Sequence, residues 1–446
     1  MKTIKCFLLL LLVLTFQYCD DPDPEPPIDD SNKSLPARWA DITLKTIRAT
    51  PPFSPTFTSR NLGYIGLTMY QSVVNGSGTQ KSLVGQLNGL DFLPLPESDK
   101  EYNWALSLNA GQAFILKSLY AHTRPARLSS IDSLEATAYA EEITTTDQEI
   151  ATRSVAYGKK VAEAIYEWSK TDGGHEGYLR NFDPTYKFPT GPSYWTAPTF
   201  GQSQSILPLH PFWGNNRTFT QANASLPVPA IVPYSPFPSS EYYKYFKEVY
   251  DKSKTLTDEE RRIAAWWADD PTQTASPPGH SYNLATIAVT SAEADLFTAA
   301  EIYAKVGMAV ADAFICCWKC KYTYHAERPA PFIKRFIDAK YKHFWPEPPF
   351  PAFSSGHATQ SAAAATVLIS VLGDDFALTD NTYQRRKADF QGIPYKPRAY
   401  ANLWATAEEC AYSRFLGGIH TRQDNETGTA QGKLIGANIV ALSWRK

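Results

Sequence analysis

The stretch EADLFTAAEIYAKVGMAVADAFICCWKCK, residues 293–321, decides the fold class. Ala, Phe, Ile and Val recur in it at helix spacing, so it predicts one long helix from Glu293 to Lys321. The same period is visible near Ala37–Ile47, Asn61–Val73, Trp104–His122, Ser129–Lys170, Ser239–Lys254 and Asp258–Ala268. It returns over His357–Leu372, Tyr400–Ile419 and Ala430–Trp444. Strand alternation is scarce, which makes the chain all-α: a large helical domain of helix bundles with long irregular loops around a site. The segment Tyr178 to Pro238 is rich in Pro, Gly, Ser and aromatic residues, and reads as a loop wrapping the core and shaping a pocket mouth. No repeat of solenoid period is visible.

The N-terminus sets the compartment. Lys2 and Lys5 precede the apolar run Phe7–Phe16, too short for a permanent span and suited to export. Cys19 ends the run and Asp20-Asp21 and the proline-rich 22–27 follow, so 1–19 is read as an export signal with a candidate lipidation cysteine. Tyr18 stands where a lipidation signal usually has a small residue. Residues 20–35 make a Pro/Asp-rich linker, and 36–446 the helical domain. The chain is expected to be exported: periplasmic, extracellular or lipid-anchored. With a net charge of −2 and a pI near 6.5, composition gives no reason to expect nucleic acid as a partner.

After the leader, Cys316, Cys317, Cys320 and Cys410 remain. Cys317-x2-Cys320 lies mid-helix without a second pair, so small buried residues are the better reading, and a disulfide from Cys410 to this group stays open. There is no HExxH, no Gly-x-Gly-x-x-Gly and no P-loop lysine, which removes zinc-protease and nucleotide readings. His122, His175, His210, His280, His325 and His343 have no motif around them and are read as ordinary structural histidines.

Three stretches carry chemistry. Lys321-x6-Arg328-Pro329 ends the long helix; if the helix continues, both cations project from one side and converge on one anion. Ser355-Gly356 opens the alanine-rich helix after an extended, proline-rich entry, so free N–H groups and the positive helix end face whatever lies before Ser355. In Ser413-Arg414-x5-His420-x3-Asp424, the carboxylate can hold one ring nitrogen of His420 and present the other. Each alone has a bland reading as a solvated helix face, a helix start or an i,i+4 pair. In one order within about a hundred residues, all three call for the same tetrahedral oxyanion.

The order Lys-x6-Arg-Pro, Ser-Gly-His, Ser-Arg-x5-His resembles the signature shared by vanadium-dependent haloperoxidases and the type 2 phosphatidic-acid and bacterial acid phosphatases. The resemblance covers about the last 180 residues, with motifs at 312–329, 348–359 and 413–424. Asp312-Ala313 with Trp318, the run Pro348-Pro349-Phe350-Pro351-Ala352-Phe353, and Arg414-Phe415-Leu416-Gly417-Gly418-Ile419-His420 resemble the haloperoxidase branch. That resemblance implies His420 as the vanadium ligand. It implies Lys321, Arg328, Ser355, Gly356 and Arg414 on the vanadate oxygens, one vanadate per chain, and His357 as acid–base group, with Lys321 polarising peroxide. Trp318 and Phe350 would line the halide side and Asp424 would support His420. The segment Trp266-Trp267-Ala268-Asp269-Asp270, followed by Pro277-Pro278-Gly279-His280, resembles a family segment whose aspartate pairs with a pocket arginine, a role that fits Asp270.

The implied activity is oxidation of halide by hydrogen peroxide through a side-on peroxovanadate, giving hypohalous acid that halogenates an organic acceptor. Phe350 stands where algal bromoperoxidases carry a second histidine, and the chain resembles secreted bacterial iodoperoxidases in length and aromatic positions, which favours iodide over bromide. Ser354 replaces the usual proline before Ser-Gly-His, a change expected to loosen the entry turn. The alternative is a secreted acid phosphatase of the same superfamily with His420 as nucleophile.

Overall fold

Asp295 starts the helix that the 293–321 periodicity predicts: its carboxylate accepts the Thr298 N–H at 2.7 Å. In the computed structural model, which describes residues 33–270, 275–383 and 386–446, this helix runs Leu296–Tyr324 and stops where His325 turns left-handed at φ 51°. It is the tenth of fourteen α-helices among the described residues. In chain order they are α1 Leu35–Ala49, α2 Pro55–Gln71, α3 Trp104–Leu119, α4 Pro125–Ile143, α5 Gln148–Ser169, α6 Gln221–Ala224 and α7 Glu241–Ser253. Then come α8 Asp258–Trp266, α9 Ser276–Ser291, α10 Leu296–Tyr324, α11 Pro329–Phe336, α12 Gly356–Leu372, α13 Leu403–Leu416 and α14 Arg422–Val440. One antiparallel pair, β1 Leu378–Asp380 and β2 Arg398–Tyr400, is the sheet. The expected export signal with Cys19, and the linker as far as residue 32, lie outside the described residues. Within Ser34–Lys446, no described helix is long and apolar enough to cross a membrane.

Every residue of α10 from Ala299 to Trp318 is buried, as expected of a helix surrounded by others. It packs on α2, α12 and α14. Two of its charges are neutralised locally: Glu301 takes Lys305 at 2.9 Å and Arg445 at 2.6 Å. Asp312 accepts N–H groups of Phe219 and Asn223, both at 2.7 Å, which ties the long 178–238 loop to the central helix. That loop is irregular apart from short helical turns, as its composition predicts.

Glycines let the site-bearing helices approach. A Cβ on Gly432 of α14 would lie 2.1 Å from the Thr359 carbonyl of α12, and one on Gly428 would lie 2.8 Å from the Ser355 carbonyl. The contact draws the start of α14 against the start of α12, where Ser355 N–H donates to the Asp424 carbonyl at 3.0 Å. Gly432→Ala is expected to destabilise the fold by roughly 1–3 kcal/mol, because helix backbones must separate; denaturant titration checks it.

One expectation changes, one helix was not foreseen, and one open question closes. The pattern over 129–170 is two helices, since Asp147 caps a new start with its carboxylate on the Glu149 N–H at 2.8 Å. Helix α9 is not among the stretches that the helical period picks out; Pro277 and Pro278 occupy its first turn, where no N–H is required of them. Cys316, Cys317, Cys320 and Cys410 are buried free thiols, so no disulfide joins them.

Candidate active site

The C-terminal end of α10, the segment 325–328, the entry 348–354, and the facing ends of α12, α13 and α14 converge on one buried spot. Lys321 and Arg328 meet there, but not on one helix face as predicted. The helix ends at Tyr324, and Arg328 is the extended residue before Pro329 opens α11. His325, expected on a helix surface, caps α10 instead and its Nε2 pairs with the Tyr186 hydroxyl at 2.6 Å.

Lys321 is fully buried, and its ammonium donates to the carbonyls of Pro351, Ala352 and Ser354 at 2.8, 2.7 and 2.6 Å. An ammonium has three donors, so all are engaged, and the lysine clasps the entry to Ser355. Ser354 is therefore held, not loosened: it is fully buried, and its hydroxyl lies 3.4 Å from Gln431 Oε1. The Phe353–Ser354 peptide is cis. Burial, with Arg328 nearby, brings the Lys321 ammonium down to about 8.

Arg328 is equally buried. Its Nε and Nη2 donate to the Phe350 carbonyl at 3.1 and 2.9 Å, and Nη1 donates to the Ile419 carbonyl at 2.9 Å. Nη1 also lies 3.1 Å from His420 Nε2. Because a guanidinium only donates, Nε2 is an acceptor and the proton sits on Nδ1, 3.1 Å from Asp424 Oδ2. Asp424 is fixed in turn by the Thr421 N–H at 2.9 Å, in a capping box at the start of α14. The His420–Asp424 contact thus spans a helix N-terminus rather than one helix face. Burial and then the Arg328, Lys321 and Arg414 charges hold His420 well below its ordinary range, so the imidazole is neutral with its lone pair outward.

Ser355 caps α12, its hydroxyl accepting the Ala358 N–H at 3.4 Å, so the helix starts at Gly356 as predicted. Arg414, near the end of α13, donates from Nη1 to the Trp267 carbonyl at 2.8 Å, while its buried Nε has no partner. His357 Nε2 is likewise buried and unpartnered. Burial, Arg414 and His280 hold His357 well below its ordinary range. Trp318 and Phe350 pack with ring centres 4.8 Å apart and planes tilted by 50°, and Lys321 Nζ lies 5.2 Å from the Phe350 ring centre, as does Arg328 Cζ. The Trp318 indole donates to the Leu209 carbonyl at 3.2 Å, so the 178–238 loop closes this side.

The fold is shared with solved structures. A bacterial vanadium-dependent iodoperoxidase is 30% identical, with a TM-score of 0.79, over 95% of this chain and 98% of that one. The chain belongs to the vanadium-dependent haloperoxidase family. Bacterial vanadium-dependent chloroperoxidases in holo and apo form share the haloperoxidase fold. They are 16% and 15% identical, at TM-scores of 0.66 and 0.63, over 92% and 88% of this chain and 97% and 94% of those. Residues 338–445 match the family model described as the VCPO second helical-bundle domain, which holds the second and third motifs. No curated protein sequence matches.

Asp270 of this haloperoxidase accepts the Trp345 indole N–H at 3.2 Å and the Gln202 amide. It also lies within reach of the Arg414 charge; burial pushes its carboxyl up to about 6. Sequence reading passed over its neighbour. Asp269 lies 4.0 Å from His357 Nε2 and holds His280, which had been read as an ordinary histidine. Asp380, the third member of that group, lies 100 residues from His280, and no local spacing joins them.

Proposed function

We propose that this haloperoxidase uses hydrogen peroxide to oxidise halide, iodide first and bromide second, to hypohalous acid at a vanadate held by His420. The observation that carries this reading is a neutral imidazole lone pair in a buried, cation-lined spot where Arg414 Nε and His357 Nε2 lack partners. A buried donor without an acceptor, such as Arg414 Nε, is costly, and an oxyanion supplies acceptors in several directions. Among the described residues, no three His, Cys, Asp or Glu side chains group to hold a bare cation, so the donor set suits an oxyanion better than a metal aquo ion. Vanadate bound there would supply a Lewis-acidic centre that activates peroxide toward halide.

The chain's own residues do the rest. Arg328, Arg414, the Ser355 hydroxyl and the Gly356 N–H at the start of α12 bind and orient the oxygens. Asp424 keeps the proton on His420 Nδ1, leaving Nε2 for the metal. Lys321 adds charge and polarises peroxide from the clasp it makes on residues 351–354. His357, neutral by burial, accepts a proton from hydrogen peroxide. Trp318 and Phe350 exclude water from the halide side. Iodide is favoured because the 30% identical relative is an iodoperoxidase.

The test is reconstitution of the apoprotein with vanadate, then peroxide assays with iodide, bromide and chloride beside a phosphomonoester control. Iodide oxidation that phosphate suppresses is expected. Efficient phosphomonoester turnover without peroxide, and none on iodide, would replace this reading with the phosphatase one.

The affinity of the apoprotein for phosphate should be pH-dependent. Lys321 loses its charge as pH rises through about 8, so binding should weaken above that pH as one cation of the cradle neutralises. Calorimetric titration on both sides of the transition checks the sign, once the ionisation of phosphate itself is corrected for.

A further inference from the structure

Behind His357 lies a buried ion cluster that the reaction above does not use. Both ring nitrogens of His280 sit on carboxylates: Nδ1 is 3.0 Å from Asp269 Oδ1, and Nε2 is 2.8 Å from Asp380 Oδ2. The three side chains come from α9, the turn after α8, and β1, and none is more than 1% exposed. Asp380 Oδ2 also accepts the Trp266 indole N–H at 2.7 Å, so that oxygen carries no proton, and His280 Nε2 must donate. On the other side His280 Nδ1 lies 3.0 and 3.1 Å from the two Asp269 oxygens, one of which also accepts the Tyr383 hydroxyl, so Nδ1 faces acceptors and donates as well. Two donated bonds need two ring N–H groups, which only an imidazolium has.

The surroundings agree with a cation. The Trp267 ring stacks on His280 at 4.4 Å and 18°. Burial works against the charge, yet the two carboxylates outweigh it and push His280 up to about 10. Asp380 is held below its usual range because His280 and Thr382 outweigh its own burial. Other titratable groups facing the cluster are Arg414, His357, Asp270, Tyr395, Tyr400 and the Cys410 thiol, the last pushed up by burial and then by Asp269.

One oxygen of Asp269 is shared between His280, whose Nδ1 is 3.1 Å away, and the active site. This Oδ2 lies 4.0 Å from His357 Nε2, the nitrogen that has no partner. Asp269 reaches this position from a left-handed backbone, φ 49°, which aspartate tolerates better than most residues.

We propose that His280 is a permanent buried cation that holds Asp269 against His357, making both of them positioning residues that set how strongly His357 holds a proton. The proposal rests on the reading of His357 as the acid–base group. No proton moves inside the cluster: His357 gains one from hydrogen peroxide and later returns it, while His280 stays charged between its two carboxylate partners. With His280 in place, the Asp269 charge is shared, and His357 stays a free base in the resting enzyme. Without it, the carboxylate faces His357 alone and stabilises the protonated ring.

The test begins with the wild-type apoprotein labelled with nitrogen-15 histidine. Both His280 nitrogens should be protonated at neutral pH, and a neutral tautomer there overturns the proposal whatever the variants do. His280→Gln should then raise the His357 proton affinity in the apoprotein by about tenfold, one pKa unit. In the vanadate-loaded enzyme, the acid limb of kcat should move to higher pH, with KM for peroxide little changed. Adding Asp269→Asn to His280→Gln should abolish that rise. A folded His280→Gln protein, with phosphate affinity intact and His357 proton affinity unmoved, overturns the positioning role. Because the histidine signals are read without vanadate, absence of iodide oxidation would sink the functional reading alone and leave this one standing.

Discussion

His420→Ala is expected to reduce vanadate retention by more than 100-fold and peroxide-dependent iodide oxidation to background. Loss of a group that merely supports a metal ligand costs about 10–100-fold in affinity, and this substitution removes the ligand atom itself. The geometry around it says why nothing else substitutes. Arg328 Nη1, the Nε2 neighbour at 3.1 Å, is a donor and cannot supply a lone pair. Asp424 stays anchored to the Thr421 N–H at 2.9 Å, so the start of α14 should survive the change. Phosphate offers a control because it needs the donors but no metal–nitrogen bond. Its affinity should fall far less than that of vanadate, both measured by equilibrium dialysis, and an equal loss of both would argue against a coordinating His420.

His357→Ala should lower kcat by about 10²–10⁴, the range for removing a positioned acid–base group, while vanadate and phosphate affinities change no more than a few-fold. The separation follows from the structure. The start of α12 is held by Ser355, through its hydroxyl on Ala358 N–H at 3.4 Å and its own N–H on the Asp424 carbonyl at 3.0 Å. The His357 side chain takes no part in either contact. Its ring is 15% exposed, against 3% for His420, while its Nε2 stays buried and faces the site without a partner. Steady-state kinetics beside a binding titration decide it; a loss confined to anion binding would move His357 from proton transfer to the cradle.

Much of this was legible in the chain itself. Helical periodicity named α10 and most of its partners, and ordinary capping residues set their starts: Asp295, Ser355, Asn402 and Thr421 each accept an N–H of the first turn. The three motifs named the cradle because each carries its chemistry within a few residues. The failures were places where local signals conflicted or were absent. Helix α9 escaped the periodicity, although Pro277 and Pro278 fit its first turn, since missing N–H groups cost nothing there. Lys321 and Arg328 looked like one helix face, but His325 and Pro329 end the helix between them and the chain turns back to the same spot.

By itself, the sequence determined the helical class, the family and the motifs whose residues meet at one buried spot, because periodicity, capping and short motifs act over at most a few turns. Only the tertiary structure decided how the cations are used. It engages all three Lys321 donors on the 351–354 backbone, turns the His420 lone pair toward Arg328, and leaves Arg414 Nε and His357 Nε2 without partners. It also brings Asp269, His280 and Asp380 together behind His357. Charges in a buried, low-dielectric place interact strongly through space, whatever their separation along the chain, and that separation is what motif reading measures.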